Sequence, residues 1–287
     1  MRKLYYTILN FFAPIFRYYY RKRLKVLAYH TIEDSVNFEK QLKLLRSKYA
    51  IISIVQLKEY LENKKNLPIY PLLITFDDGD ESVFKAGMPV LKENNCPAIL
   101  FVISGLINTN TDFWWNTVIK NEIEYGSSHY ETSRKISYLK QVSNKERIKE
   151  LDNYNPRDKA QLTSSQLKCL DKNNICIANH SHTHPMFDQC SEEEINYELS
   201  SSKKMFRDWN IGEFDVFAYP NGNYDKVSER ILSKRGVKIA FLFDHKINQP
   251  VINPLRVSRI RVSADTGLTE FEAKVSGIHP FIYSVFK

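Results

Sequence analysis

An α/β fold in which parallel strands bend into a distorted, partly closed (β/α) barrel is what this sequence predicts. Three observations predict it. Apolar runs of strand length alternate with amphipathic runs of helix length, polar and titratable residues gather where the apolar runs end, and 287 residues suits one barrel-like domain with appendages. Hydrophobic residues make up 43% and charged residues 26%, with 9 Gly and no visible repeat, which excludes a disordered or fibrous chain.

The net charge of +8 suggests nucleic acid until it is located. Residues 1–25 hold seven basic residues (Arg2, Lys3, Arg17, Arg21, Lys22, Arg23, Lys25) and no acid, leaving 34 basic against 33 acidic residues in the remainder. The body is neutral, so a phosphate-tracking face and a nucleic-acid partner are not expected. Between the basic clusters lies LYYTILNFFAPIF, Leu4 to Phe16; as a helix its 13 residues span about 20 Å, short of the hydrocarbon core. Pro14 and Arg17 argue further against spanning, and RYYYRKR follows where a signal peptide would place small residues. Residues 1–25 therefore read as a basic, aromatic segment lying at an anionic membrane surface, and the protein as membrane-associated on a leaflet left open. An exported protein with an uncleaved signal anchor is the alternative. Cys96, Cys169, Cys176 and Cys190 show no CxxC spacing, and Cys176 sits in the apolar run ICIA, where a free buried thiol is the usual occupant.

The elements follow in order. LKVLAYHTI (24–32) reads as a short buried strand and FEKQLKLLRSKY (38–49) as a helix with Phe38, Leu42 and Leu45 on one face. PLLITFDDGD is an apolar strand stopping abruptly in acids, VFKAGMPVLKENN a helix, and PAILFVIS the next strand. Residues 106–165 break the rhythm with charged, helix-prone sequence and read as an insertion. Alternation resumes with helix SSQLKCLDKN, strand ICIAN, helix SEEEINYELSSSKKMFRDW capped by Ser191, strand DVFAYP, helix YDKVSERILSKRG and strand VKIAFLF; RVSRIRV (256–262) is a further strand candidate.

In parallel β/α architectures the reactive groups sit at the strands' C-terminal ends. Here those ends carry His30 (VLAYH), Asp77 and Asp78 (LLITFDD), His180 with His184 four residues on (ICIANHSHTH), and Pro220, Asn221 and Gly222 (FAYPNG). Adjacent carboxylates on a strand end point in different directions, so one can bind a metal while the other stays free as a base. Two His and one carboxylate leave positions open for water and substrate, and a divalent ion held there acidifies water and polarises a carbonyl.

TFDDG followed by HSHTHP on repeated β/α units resembles the polysaccharide deacetylases with a NodB-type domain, carbohydrate esterase family 4, over about residues 25–265. The resemblance implies a distorted (β/α) barrel of the NodB type spanning 26–287, with the helical insertion at 106–165. It also implies a divalent ion, zinc foremost, that promotes hydrolysis of N-acetyl groups on an amino-sugar polysaccharide or oligosaccharide. Carried over, Asp77 is the general base and Asp78, His180 and His184 are the metal ligands, while His182 falls on a variable position. The family's Arg-x-Pro-Tyr motif aligns with AYPNG, so Ala218 stands where the arginine would be. Asn221 can still supply the backbone N–H that stabilises the oxyanion, and Arg259, in the alternating stretch SRIRV, is the candidate to replace the arginine that orients the base. LAYH at the first strand resembles the branch that deacetylates poly-N-acetylglucosamine, in which the strands are circularly permuted; this makes His30 the general acid, with His279 in SGIHP as the alternative. Two other functions stay open: a carbohydrate-binding protein that keeps the barrel without turnover, and a hydrolase of a non-sugar amide.

Overall fold

Residues 2–285 are described by a computed structural model, in which parallel strands form a single curled sheet. The strands are β1 (Lys25–Tyr29), β2 (Ala50–Ile51), β3 (Pro71–Phe76), β4 (Ala98–Val102), β5 (Ile175–Asn179), β6 (Glu213–Ala218), β7 (Ile239–Phe241) and β8 (Ile260–Arg261). Their spatial order is β7-β6-β5-β4-β3-β1-β8, with β2 paired to the start of β3. The first strand thus lies between β3 and β8, in register from Lys25 opposite Leu72 to Tyr29 opposite Phe76. The other edge is bridged as well: Val257, three residues before β8, donates its N–H to Ala240 O and accepts from Leu242 N on the β7 side. These bonds draw the sheet's two edges together, giving the partly closed barrel expected.

The strands are apolar on both faces because both faces are covered. Leu27, Tyr29, Leu72, Ile74, Phe76, Leu100 and Val102 pack outward with α2 (Ser35–Lys48), whose Phe38, Leu42 and Leu45 are buried as the sequence pattern predicts. The alternate positions, Val26, Leu73, Ile99, Phe101, Ala178, Val216 and Ala218, pack together inside the barrel. Ile54 and Leu57 of α3 (Ile54–Leu61) join that inner cluster. Since strand side chains alternate with period two, continuing the inward rows past the strand ends delivers His30, Asp77 and His180 to one rim.

The stretch read as a single helix after β3 begins with a π-helical turn, Val83–Gly87, before α4 (Met88–Glu93). The segment between β4 and β5, expected as an insertion, forms α5 (Trp114–Glu124), α6 (His129–Leu139) and α7 (Asn144–Leu151), and the connection re-enters through α8 (Ser164–Lys172). Next come α9 (Glu192–Trp209), opened by a Ser191–Glu194 capping box, and α10 (Lys226–Lys234). The tail forms α11 (Leu268–Ser276) and α12 (Ile278–Val285).

The N-terminal segment is a helix, α1 (Arg2–Tyr19), and it is not detached. Tyr6, Leu9 and Ala13 are buried with Ala273 and Ile278, Arg2 pairs with Glu270, Arg17 with Glu272, and Asn10 donates to Thr269 O at 2.7 Å. Two expectations are corrected here. The body does not begin after residue 25, because Lys25 is the first residue of β1; and Lys25, counted among the basic groups facing lipid, is fully buried. Its Nζ donates to Tyr20 O at 3.2 Å and lies over the rings of Tyr20 and Tyr49. Among the described residues, no helix is long and apolar enough to cross a membrane.

Candidate active site

At the rim, the residues expected from the sequence come together. His30, Asp77, Asp78, His180, His184 and Asn221 line one cavity of about 210 Å³, joined by Trp115, Ile119, Ile136 and Lys140 of the insertion and by Phe243. That volume holds on the order of seven waters, enough for an acetamido group. A larger cavity of about 540 Å³ shares His30, Asp78 and Trp115 with it.

Asp77 sits one step beyond the inward row of Leu73 and Thr75 and meets Arg259, which is fully buried. The guanidinium binds both carboxylate oxygens, Nη1 to Oδ1 at 2.6 Å and Nη2 to Oδ2 at 2.8 Å, and Nε donates to Leu242 O at 2.6 Å. This two-pronged contact fixes the plane of the carboxylate. Arg259, expected from the alternation of SRIRV to orient the base, is thus the arginine in contact with Asp77. Arg256, by contrast, pairs with Glu229 away from the rim. Burial opposes ionisation of Asp77, but the charges of Arg259 and His180 outweigh it and hold the carboxyl below the usual range.

Asp78 turns the other way. Its backbone is left-handed (φ 70°), followed by Gly79 at φ 82°, so the chain reverses and presents the carboxylate to the two histidines. His180 Nε2 lies 3.4 Å and His184 Nε2 3.5 Å from the same oxygen, Asp78 Oδ1. Donor atoms held tetrahedrally at about 2.0–2.1 Å from a zinc-like ion are about 3.3–3.4 Å apart; both histidines stand at that spacing from Asp78, and with all three donor atoms within 4.8 Å of one another the set could hold a divalent ion. His180 Nδ1 is 2.8 Å from Ala218 O; a proton there leaves the Nε2 lone pair facing Asp78. Burial works against the Asp78 charge, yet the His180 hydrogen bond and the nearby His30 and His184 hold its carboxyl far below the ordinary value. Burial, then the His180 charge, pushes His184 down to about 3, leaving a neutral imidazole with a lone pair to give. Burial also opposes charge on His180, but the Asp77 charge and the Asp78 hydrogen bond raise it above the ordinary value. A bound cation would displace the proton those carboxylates attract.

The histidine loop is held by residues that sequence reasoning missed. Glu198, 3% exposed on α9, accepts from His182 N, Thr183 N and Thr183 Oγ1 at 2.7–2.8 Å. Ser181 Oγ accepts from His184 N at 3.0 Å. From the insertion, Trp114 Nε1 and Arg147 Nη1 both donate to His184 O, at 3.3 and 3.4 Å, while the Trp115 ring packs 4.8 Å from the His184 ring. Asp78, Ser181, His184 and Asn221 all have positive φ, a concentration of backbone strain at one rim. His182 faces Ser104 and Tyr197 instead of the cavity.

His30 follows the end of β1, lines both cavities and packs edge-on against Phe243 at 5.2 Å. His279 lies elsewhere: on α12, with Nδ1 2.9 Å from His245 Nε2 and its ring against Tyr6. Asn221 has a left-handed backbone (φ 57°), and its side chain accepts from Lys140 and donates to Asn223.

A family model described as polysaccharide deacetylase matches residues 64–240. A poly-β-1,6-N-acetyl-D-glucosamine N-deacetylase of Staphylococcus aureus (strain MRSA252) is 27% identical over 258 residues, covering 88% of this chain and 75% of its own. Among solved structures, the fold is similar to Streptococcus pyogenes deacetylase PplD in complex with acetate, with TM-score 0.65 and 19% identity over 88% of this chain and 98% of that one. It is also similar to IcaB from Ammonifex degensii, with TM-score 0.64 and 18% identity over 89% and 98% of the two chains. With strand ends, carboxylate pair, histidine loop and family match in agreement, the chain belongs to the polysaccharide deacetylase family, hydrolases acting on carbon–nitrogen bonds other than peptide bonds.

Proposed function

We propose that this protein removes N-acetyl groups from a polymer of N-acetylglucosamine and needs a divalent ion, zinc foremost, to do so. One observation carries the reading: Asp77, fixed by Arg259, stands beside an Asp78–His180–His184 cluster whose donor atoms have the spacing of a metal site. The named activity of the Staphylococcus aureus relatives supports the choice of polymer. When bound, the ion supplies Lewis acidity, polarising the acetyl carbonyl and acidifying water. Asp77 takes the proton of the attacking water, with Arg259 keeping its carboxylate aimed. Asn221 N–H faces the acetyl oxygen as negative charge develops there. His30 gives a proton to the departing amine as the C–N bond breaks. Retention of Asp77 and its restored arginine partner weigh against a binding protein without turnover, which needs neither.

The direct test is acetate release from N-acetylglucosamine oligomers of several lengths, before and after chelation and after zinc is returned. Release that stops on chelation and recovers with zinc is expected. Equal release throughout would remove the metal from the reading, and no release from any oligomer would remove the substrate.

For location, we propose that α1 rests on an anionic membrane surface. Leu4, Ile8, Phe11, Ile15, Tyr18 and Tyr19 stay exposed on a helix whose other face is docked, with Lys3 and Lys22 exposed beside them. This footing is narrower than seven basic residues suggest, since Arg2 and Arg17 are paired within the protein and Lys25 is buried.

A further inference from the structure

We propose that Lys140, supplied by the insertion, is a further catalytic residue that donates to the acetyl oxygen in the transition state and to the acetate product. The inference rests on the deacetylase reading above and deepens it.

Lys140 directly follows α6 and lines the same 210 Å³ cavity as Asp77, Asp78, His180 and His184. Its Nζ donates to Asn221 Oδ1 at 3.0 Å, placing the ammonium beside the residue whose backbone N–H serves the oxyanion. Asn221 is itself anchored: its Nδ2 donates to Asn223 Oδ1 at 2.7 Å, and Asn223 Nδ2 donates to Asp188 at 3.0 Å. The amide is thus held with its oxygen toward Lys140. Among the described residues one N–H of the ammonium is used, and two remain. Ile119 and Ile136 line the same cavity; burial lowers the Lys140 ammonium from its ordinary value, and the charge of Asp78 opposes that.

The chemistry decides what those two donors are for. An N-acetylated sugar is neutral, so an ammonium gains little from the bound ground state. During hydrolysis the new C–O bond puts negative charge on the acetyl oxygen; the C–N bond then breaks, the nitrogen leaves as an amine with the proton from His30, and acetate departs as an anion. A cation in the cavity favours both charged species over the substrate, the differential binding that raises turnover without tightening the ground state.

The test compares Lys140→Met, which removes charge and donor, with Lys140→Gln, which keeps a donor for Asn221 without charge. Three readings are taken on zinc-loaded protein: kcat and KM on N-acetylglucosamine oligomers, zinc content, and acetate affinity by calorimetry. Both variants are expected to lose about 10²-fold in kcat, the scale of one lost oxyanion donor, with KM little changed. Zinc content should not change, and acetate should bind about tenfold more weakly. Wild-type turnover and acetate affinity in Lys140→Met would overturn the proposal, as would full recovery in Lys140→Gln, which would reduce Lys140 to a bridge holding Asn221. If the wild type releases no acetate from any oligomer, the deacetylase reading fails; the calorimetry still decides whether Lys140 binds the anion.

Discussion

Asp77 and Asp78 are adjacent in sequence yet differ in partner: a guanidinium for the first, two imidazoles for the second. Asp77→Asn should therefore keep most of the bound zinc while losing at least about 10²-fold in turnover, the usual cost of a removed acid–base group; Asp78→Asn should lose both. Zinc analysis beside acetate release reads the pair, and normal turnover by Asp77→Asn would refute its role. A parallel comparison separates the histidines. His30→Ala should cut turnover sharply at unchanged zinc content, whereas His279→Ala should leave turnover intact, because its ring is engaged with His245 and Tyr6 and is absent from the cavity lining. The reverse pattern would mean that the first strand does not carry the acid. These residues were legible because strand ends are a local pattern: apolar run, abrupt polar stop, alternation. Arg259 was legible for the same reason. Lys140, Trp115 and Glu198 were not, since nothing local says where a charged helical insertion folds back or which glutamate of EEEINYEL turns inward.

Among the elements, α1 carries the clearest consequence for location. Its docked face is held by Tyr6, Leu9 and Ala13, so the exposed face can be altered without touching the packing. Phe11→Asp with Ile15→Asp should abolish cosedimentation with anionic phospholipid vesicles and leave the thermal unfolding midpoint within a few degrees of wild type. Equal sedimentation of both proteins would exclude α1 as the contact. Substitution is a sharper tool than deletion of residues 1–25, which would also expose Ala273 and Ile278 and remove the first residue of β1. Element reading from sequence succeeded where periodicity ran for several residues. It missed β2, only two residues long, and α3, although the Ser53–Gln56 capping box that opens IVQLKEYL was a usable start signal. The tail, to which no element was assigned, forms α11 and α12, whose apolar sides meet α1.

For the whole molecule, Lys25 makes stability depend on pH in a direction opposite to a lysine held by a carboxylate partner. Burial, with the nearby charges of Arg17 and Arg23, lowers it to about 7 from an ordinary value of 10.5. Below about 7 both folded and unfolded chains hold the proton and the burial cost is felt in full. Between about 7 and 10.5 the unfolded chain holds more protons, so stability rises with pH. Lys25→Met should therefore stabilise the protein near neutrality by about 1–4 kcal/mol, as apolar replacements of buried charge often do, with an advantage that shrinks toward pH 10. Urea unfolding of both proteins at pH 6.5, 8 and 9.5 reads this, and a constant difference across the range would contradict it. The sequence pattern could not show it, because a lysine ending a basic run looks like surface. The grip of Trp114 and Arg147 on the His184 carbonyl has a consequence of a different kind. The grip joins residues 70 and 37 positions apart in the chain, so the ligand loop takes its final shape only after three helices have folded back across the rim. On refolding, the contacts that hold the His184 carbonyl can therefore form only once these helices have arrived, so the final setting of that ring reports the helices and not the sheet.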